Sequence, residues 1–238
     1  MRKKLAVIMQ MYYVDLWEEF RDYLQNIVDP FDLYVTVTES VLSLKEFQQF
    51  TKTVTDQFPN ASVVMMQNKG LDIGPFFLTL HSILKREIDY THVMKLHTKK
   101  STHTMGEGGD GWRAELVSAL LRDTDKYMSN MDLFKDRGIG MIGSKKWVTS
   151  HLESNTETVD YYKRKLKIVK GKHFIGGTMF CMRFDILKRY LNPEVTMSIY
   201  KELEEGYFKD WDGPTKTHAL ERILGYMVED SLMKVVGV

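Results

Sequence analysis

Two apolar runs in this chain each end in residues able to do chemistry. Ala61–Gln67 is followed by Asn68, Gly70 and Asp72 in NKGLDIGPF, and Tyr90–Leu96 by His97, Thr98, Lys99 and Lys100 in KLHTKKS. In an open α/β sheet, ligands sit beyond the carboxyl ends of strands. An amide, a carboxylate, an imidazole, a hydroxyl and two ammonium groups at two such ends describe a ligand pocket, and the lysines suit a ligand that carries phosphate. Gly70 and Gly74 allow close backbone approach and positive φ, and Pro75 suits the first turn of a helix. Backbone N–H groups at such a helix start favour an anion. The same residues also satisfy a plain strand-to-helix turn with Asp72 as its cap. His97 could orient a phosphate, bind a metal or move a proton. Otherwise it packs, and Lys99 and Lys100 are a solvated strand end.

Two later segments add candidates. Gly176 and Gly177 interrupt the strand-like FIGGTMFCM, and glycine inside a strand pattern marks a bulge or a close backbone approach. Such a place has room for a sugar ring. In DWDGPTKTHALER, Asp212 precedes Gly213-Pro214, where it suits the cap of a final helix. On that helix His218 and Glu221 share a face, with Arg222 near it. The face is either a site wall or a salt-bridged surface. The chain has no HExxH, P-loop, GxSxG or GxGxxG motif, which removes several common enzyme classes.

The elements that must position these residues alternate. Leu5–Met11 reads as a buried strand, Leu16–Ile27 as a helix, and Phe31–Thr38 as a β-branched and aromatic strand. Ser43 and Glu46 have capping-box spacing, opening a helix with Leu44, Phe47, Phe50 and Val54 on one face. Pro59-Asn60 ends it. Ala61–Gln67 is a third strand, Gly74-Pro75 opens another helix, and Tyr90–Leu96 is a fourth strand. This β-α-β-α-β-α-β order predicts a parallel sheet with helices on both faces. Residues 101–111 read as a glycine-rich loop and Trp112–Leu121 as a helix with Leu116, Leu120 and Leu121 inward. Ile139–Gly143 is a short strand, and Lys145–Lys172 has no clear period and reads as a helical insertion or a lid. Phe174–Met182 is a strand, Ile186–Leu191 a short helix stopped by Asn192-Pro193, and Pro214–Met227 the last helix. The expectation is one α/β domain over residues 1–238.

The bulk numbers narrow the class. The chain has 238 residues, 43% hydrophobic and 27% charged, the profile of an ordinary globular protein. A net charge of +1 argues against a general nucleic-acid binder. Cys181 is the one cysteine, which excludes an intrachain disulfide and a structural cysteine zinc site. The opening MRKKLAVIMQMYY reads as a first strand and not a signal peptide, because its apolar run is short and lacks a small-residue cleavage site. No segment is long and apolar enough to span a membrane. A cytoplasmic location is expected.

Seven segments, YYVDLWEE, FDLYVTV, NKGLDIGPF, VMKLHTKKS, GWRAELVSALL, IGGTMF and DGPTKTHALERILG, lie in order over nearly the whole chain. Through them the sequence resembles the rhamnan synthesis protein F family of bacterial polysaccharide glycosyltransferases. The resemblance implies a GT-A-type nucleotide-sugar fold, with residues 1–101 as the nucleotide-binding half and 102–238 as the acceptor and catalytic half. It places the base and ribose near Tyr12, Tyr13, Thr38 and Glu39, and Asn68 and Gly70 against the nucleotide. The fourth strand of that fold ends in a DxD motif holding a divalent metal. Here Leu96-His97-Thr98-Lys99 stands there, and a second carboxylate is missing. No cofactor is assigned. If Mn²⁺ or Mg²⁺ binds, Asp72 and His97 are its ligands; the leaning is to a metal-independent site, in which Lys99 or Lys100 neutralises the diphosphate directly. In an inverting enzyme a carboxylate deprotonates the acceptor hydroxyl. Asp212 and Glu221 are the candidates, with His218 beside Glu221, and Glu205 is a weaker one. Gly176 and Gly177 would lie under the acceptor, and Trp112 and Arg113 would close over the donor. The implied partners are a UDP- or dTDP-linked sugar and a glycan or lipid-linked acceptor for rhamnan, O-antigen or capsule-type polysaccharide. Basic Lys163–Lys172 could serve contact with the inner membrane or with other polysaccharide-assembly proteins. The rival reading is a non-catalytic partner subunit that binds nucleotide-sugar or glycan.

Overall fold

Apolar residues on both sides of a strand require cover on both sides, and β1 (Lys3–Met11) shows how that is met. Its Ala6 and Ile8 enter one buried cluster while Leu5, Val7, Met9 and Met11 enter another, the period-two alternation of a strand. The computed structural model describes residues 3–100, 109–151, 155–206 and 214–238. In chain order β1 is followed by α1 (Trp17–Leu24), β2 (Phe31–Thr38), α2 (Leu44–Gln57), β3 (Ala61–Met66), α3 (Ile73–Lys85) and β4 (Tyr90–His97). Then come α4 (Gly109–Leu121), α5 (Thr124–Leu133), β5 (Ile139–Gly143), β6 (Val148–Thr149), α6 (Thr156–Leu166), β7 (Phe174–Ile175) and β8 (Phe180–Arg183). The last elements are α7 (Phe184–Tyr190), α8 (Pro193–Glu202), α9 (Lys216–Asp230) and β9 (Lys234–Gly237).

Seven strands form one sheet in the order β3-β2-β1-β4-β8-β5-β9, and β6 pairs with β7 separately. β1 is parallel to β2 and β4, and β2 to β3. β8 is antiparallel to both β4 and β5, and β9 is parallel to β5. β8 alone therefore runs against the others, and its start lies at the edge where the remaining strands end. Residues of α3, α6, α7, α8 and α9 join the cluster of Ala6 and Ile8, and those of α1, α2, α4 and α5 join the other. The α/β fold with a mostly parallel sheet flanked by helices is the class expected from the sequence.

Local chemistry explains most element bounds. Ser43 and Glu46 form the reciprocal capping box of α2. On that helix Val54 is buried, but Leu44 is 73% exposed, so its expected apolar face starts later than read. Gly109–Gly111, read as loop, form the first turn of α4. The run Phe174–Met182 is not one strand: Gly177 and Thr178 take positive φ, +79° and +52°, and turn the chain between β7 and β8. Asn192-Pro193 does not only stop a helix; the Asn192 side chain caps α8, with Pro193 in its first turn. The cap of α9 is Thr215, which accepts from the His218 N–H. Asp212, part of 101–111 (residues 101–108) and part of Lys145–Lys172 (152–154) lie outside the described residues. α6 accounts for the helical part of the last segment.

Candidate active site

The edge where β4 and β5 end and β8 begins carries a cleft of about 530 Å³. The start of α3 supplies Asp72, β4 and its extension supply His97 and Lys99, and α4 supplies Trp112. Trp147 comes from the segment after β5, Gly176, Gly177 and Thr178 from the turn before β8, and His218, Glu221 and Arg222 from α9.

A lysine that the sequence reading passed over organises the floor. Lys95 lies inside the apolar β4 and is 1% exposed. A buried ammonium must be paired and hydrogen-bonded. Its Nζ donates to Asp72 Oδ2, to Thr178 Oγ1 at 2.9 Å and to the Thr178 carbonyl at 3.2 Å. It also sits 5.9 Å from the centroid of the Phe76 ring. Asp72 occupies the N-cap position of α3, yet its side chain makes no cap bond. It turns instead to Lys95 and accepts from the Thr178 hydroxyl. Burial opposes ionisation of Asp72, but the neighbouring positive charge, Lys95 foremost, and these hydrogen bonds outweigh it and hold the carboxyl well below the usual range. Burial lowers the Lys95 pKa while Asp72 and Glu221 resist.

His97 is 5% exposed and its Nδ1 has no hydrogen-bond partner. That atom lies 3.6 Å from Asp72 Oδ2, beyond a hydrogen bond. Burial pushes the His97 pKa down to about 3; Asp72 opposes this, and the charges of Lys95 and Lys99 reinforce it. At neutral pH the imidazole is therefore neutral.

Glu221 faces this floor from α9. Its Oε1 accepts from the Gly177 N–H at 2.7 Å, and its Oε2 lies 3.6 Å from Arg222 Nη1. Burial raises the Glu221 pKa and Asp72 adds to that, against Arg222, the Gly177 N–H and His218. Arg222 is anchored to the carbonyls of His218 at 2.7 Å and His151 at 3.2 Å, 5.0 Å from the Phe174 ring centroid. His218 Nδ1 shares a 2.6 Å hydrogen bond with Thr215 Oγ1. A carboxylate in a cleft with an elevated pKa is suited to accept a proton.

The opposite wall is aromatic. The Trp112 and Trp147 rings meet at 4.9 Å between centroids with a 37° tilt, and Lys99 Nζ sits 3.4 Å from the Trp112 centroid. Both indole N–H groups are buried without a hydrogen-bond partner. Each such donor costs about 1–3 kcal/mol.

Among the described residues, the other expected site residues do not line the cleft. Thr98 Oγ1 accepts from the Tyr12 and Tyr13 N–H groups at 3.0 and 2.9 Å, tying the ends of β1 and β4 together. Thr38 is buried and accepts from Gln10 at 3.3 Å, and Glu39 is exposed just beyond it. Asn68 and Gly70 are bound to the segment after α8, through Gly206 N–H to Asn68 O at 2.7 Å and Gly70 N–H to Glu204 O at 2.8 Å. Gly70 has φ +67°, and a Cβ there would stand 2.5 Å from Leu203 Cδ1. Glu205 pairs with Lys69 at 3.2 Å. Lys100 pairs with Asp15. Arg113 is buried, paired with Glu19 at 2.9 Å, and donates to the Lys99 carbonyl at 2.8 Å, so it holds the chain that carries Lys99.

Sequence reasoning missed Lys95, Thr178 and Trp147. For Lys95 a signal existed: in VMKLH it stands two residues before His97 and so shares a strand face with it. Thr178 and Trp147 come from turns distant in sequence and gave none.

Together these features define an α/β protein with a cleft at the strand ends, walled by a carboxylate of raised pKa and an aromatic-cationic pair. The family model described as rhamnan synthesis protein F matches residues 1–233, and the chain belongs to that family. The uncharacterized protein WxcX of Xanthomonas campestris pv. campestris, strains B100 and ATCC 33913, is 28% identical over 244 residues, 98% of this chain. The chain spans 32% of the length of those relatives. Residues 1–349 of S. aureus TarS align at a TM-score of 0.43 and 12% identity, over 85% of this chain and 56% of that one. The S. cerevisiae mannosyltransferase Ktr4p in complex with GDP aligns at 0.45 and 10% identity, over 98% of this chain and 69% of that one. Among the described residues no helix is long and apolar enough to cross a membrane.

Proposed function

We propose that this chain is an inverting, GT-A-like glycosyltransferase domain of bacterial surface polysaccharide synthesis, with Glu221 as its base. The observation that carries the reading is Glu221 itself, a half-buried carboxylate with an elevated pKa, oriented by the Gly177 N–H and facing the cleft. Membership in the rhamnan synthesis protein F family supports the polysaccharide context. In the reaction, an acceptor hydroxyl gives its proton to Glu221 and its oxygen attacks the anomeric carbon. The bond from that carbon to the diphosphate breaks, and the nucleoside diphosphate leaves with the electron pair. Lys99 meets the charge that develops on the leaving group, and the indole N–H groups of Trp112 and Trp147 take substrate oxygens. The donor is a UDP- or dTDP-linked sugar and the acceptor a glycan or lipid-linked glycan, with Gly176 and Gly177 beneath it. Asp212 is the second carboxylate to be tested as base.

The test is a thermal-shift series against UDP- and dTDP-sugars followed by donor hydrolysis and transfer assays. Stabilisation with turnover supports the reading. Stabilisation without hydrolysis or transfer, for any acceptor, favours a non-catalytic binding subunit, and loss of neither Asp212→Asn nor Glu221→Gln turnover rejects the base.

A further inference from the structure

The resemblance implies a divalent cation at the end of β4, and the residues there do not fit one. A hard cation gathers oxygen ligands, chiefly carboxylates. The two candidate ligands are Asp72 and His97. Asp72 Oδ2 is already engaged by the Lys95 ammonium and the Thr178 hydroxyl. Glu221, the remaining carboxylate of the cleft, is turned to the Gly177 N–H. No group of three or more His, Cys, Asp or Glu among the described residues could hold a metal. A divalent cation beside a fixed ammonium would also be repelled by it.

We propose that Lys95 takes the place of that cation, as a protein-borne counter-ion that makes the site metal-independent and positions the base. Lys95 is 1% exposed, so it does not touch substrate. It acts through what it holds. One ammonium joins β4 to Asp72 at the start of α3 and to both oxygens of Thr178. Thr178 stands in a turn whose two positive-φ residues are Gly177 and Thr178 itself. A non-glycine residue in that region needs its surroundings to hold it there. The same turn directs the Gly177 N–H to Glu221 at 2.7 Å. The path from the fixed charge to the base is thus Lys95, Thr178, Gly177, Glu221. His97 Nδ1, buried and unpartnered 3.6 Å from Asp72 Oδ2, remains beside the ammonium. Removal of the lysine would leave a carboxylate and an imidazole close enough to share a cation. The metal-independent role in catalysis rests on the function proposed above; the assignment of the cation position does not.

The experiment follows the electron paramagnetic resonance of aqueous Mn²⁺ titrated with the full chain, with and without UDP. UDP affinity is measured in EDTA and in MnCl₂. The wild type is expected to leave the Mn²⁺ signal unchanged and to bind UDP equally in both media. Lys95→Met is expected to deplete the Mn²⁺ signal, and Lys95→Met with Asp72→Asn to restore it. Mn²⁺ uptake by the wild type that Asp72→Asn abolishes overturns the proposal, as does a folded Lys95→Met protein that takes up none. If Lys95→Met does not fold, the wild type and Asp72→Asn still decide. Absence of UDP binding in every medium counts against the proposed function, while the Mn²⁺ titrations of the protein alone decide on Lys95.

Discussion

The two sides of β4 end differently. On the side of β1, β2 and β3 several polar groups at the strand ends are engaged within the fold: Thr98 takes the Tyr12 and Tyr13 N–H groups, Thr38 takes the Gln10 amide, and the backbones of Asn68 and Gly70 are bound to the segment after α8. On the side of β8 and α9 the cleft holds buried donors and acceptors without partners, at His97 Nδ1 and the Trp112 and Trp147 indoles, beside a carboxylate whose pKa is raised. Buried polar groups that go unpaired are costly. Both edges match the same strand-end rule in sequence. What separates them is whether the fold has spent the polar groups on itself.

The comparison can be broken by mutation. The largest effect is expected for Glu221→Gln: turnover falls about 10²- to 10⁴-fold with nucleotide affinity retained, since general-base catalysis is worth about that much. Steady-state kinetics with parallel binding isotherms read it. Next, Lys95→Met leaves the half-buried Asp72 carboxylate without its counter-ion and costs up to about 3–5 kcal/mol of stability, measured by urea denaturation. The double variant with Asp72→Asn recovers part of the loss. On the self-satisfied edge, Thr98→Val removes the acceptor of two N–H groups and costs about 1–3 kcal/mol. Its effect on turnover at a temperature where it is folded is expected to be much smaller than that of Glu221→Gln; an equal loss would erase the distinction between the edges. The smallest effect is expected at Ser43→Ala, far from either, where loss of the capping box costs about 0.5–2 kcal/mol and leaves activity unchanged.

The pH dependence sharpens the same contrast. His97 is held neutral, its pKa depressed to about 3 from an ordinary 6.5. The unfolded chain therefore binds a proton that the folded chain refuses. This contribution to stability is complete above pH 6.5 and is lost as pH falls through that window toward 3. Asp72, held low, acts in the same direction. Glu221, raised, acts in the opposite direction, its protonated form being favoured in the folded state. Denaturation midpoints of His97→Gln between pH 7 and about 4 are expected to fall less steeply than those of the wild type.

Much of the fold was legible where its elements obey local rules. β2 and β5 have the bounds read from their apolar runs, and the Ser43–Glu46 box marks the start of α2. Elsewhere the signals were ambiguous or absent. α5 buries only Tyr127 and Asn130 within its span, so it carries no apolar stripe. Asn192-Pro193 signals a helix stop in sequence, yet the same pair opens a helix. FIGGTMFCM has the composition of a strand, and only the positive φ of Gly177 and Thr178 shows that it is a turn. In the site, Asp72, His97, Lys99, Trp112, Gly176, Gly177, His218 and Glu221 were singled out from sequence and meet in one cleft. The pairing of Asp72 with Lys95 was not, because the strand face that Lys95 shares with His97 marks the lysine but not its partner before α3.

The most direct test of the account is a crystal structure of the chain with UDP, grown with and without MnCl₂. The account expects the terminal phosphate in the cleft bounded by Lys99, Trp112 and Trp147, in the same place in both crystals, with Lys95 still on Asp72. A terminal phosphate outside that cleft, or a metal ion between it and Asp72, would contradict it.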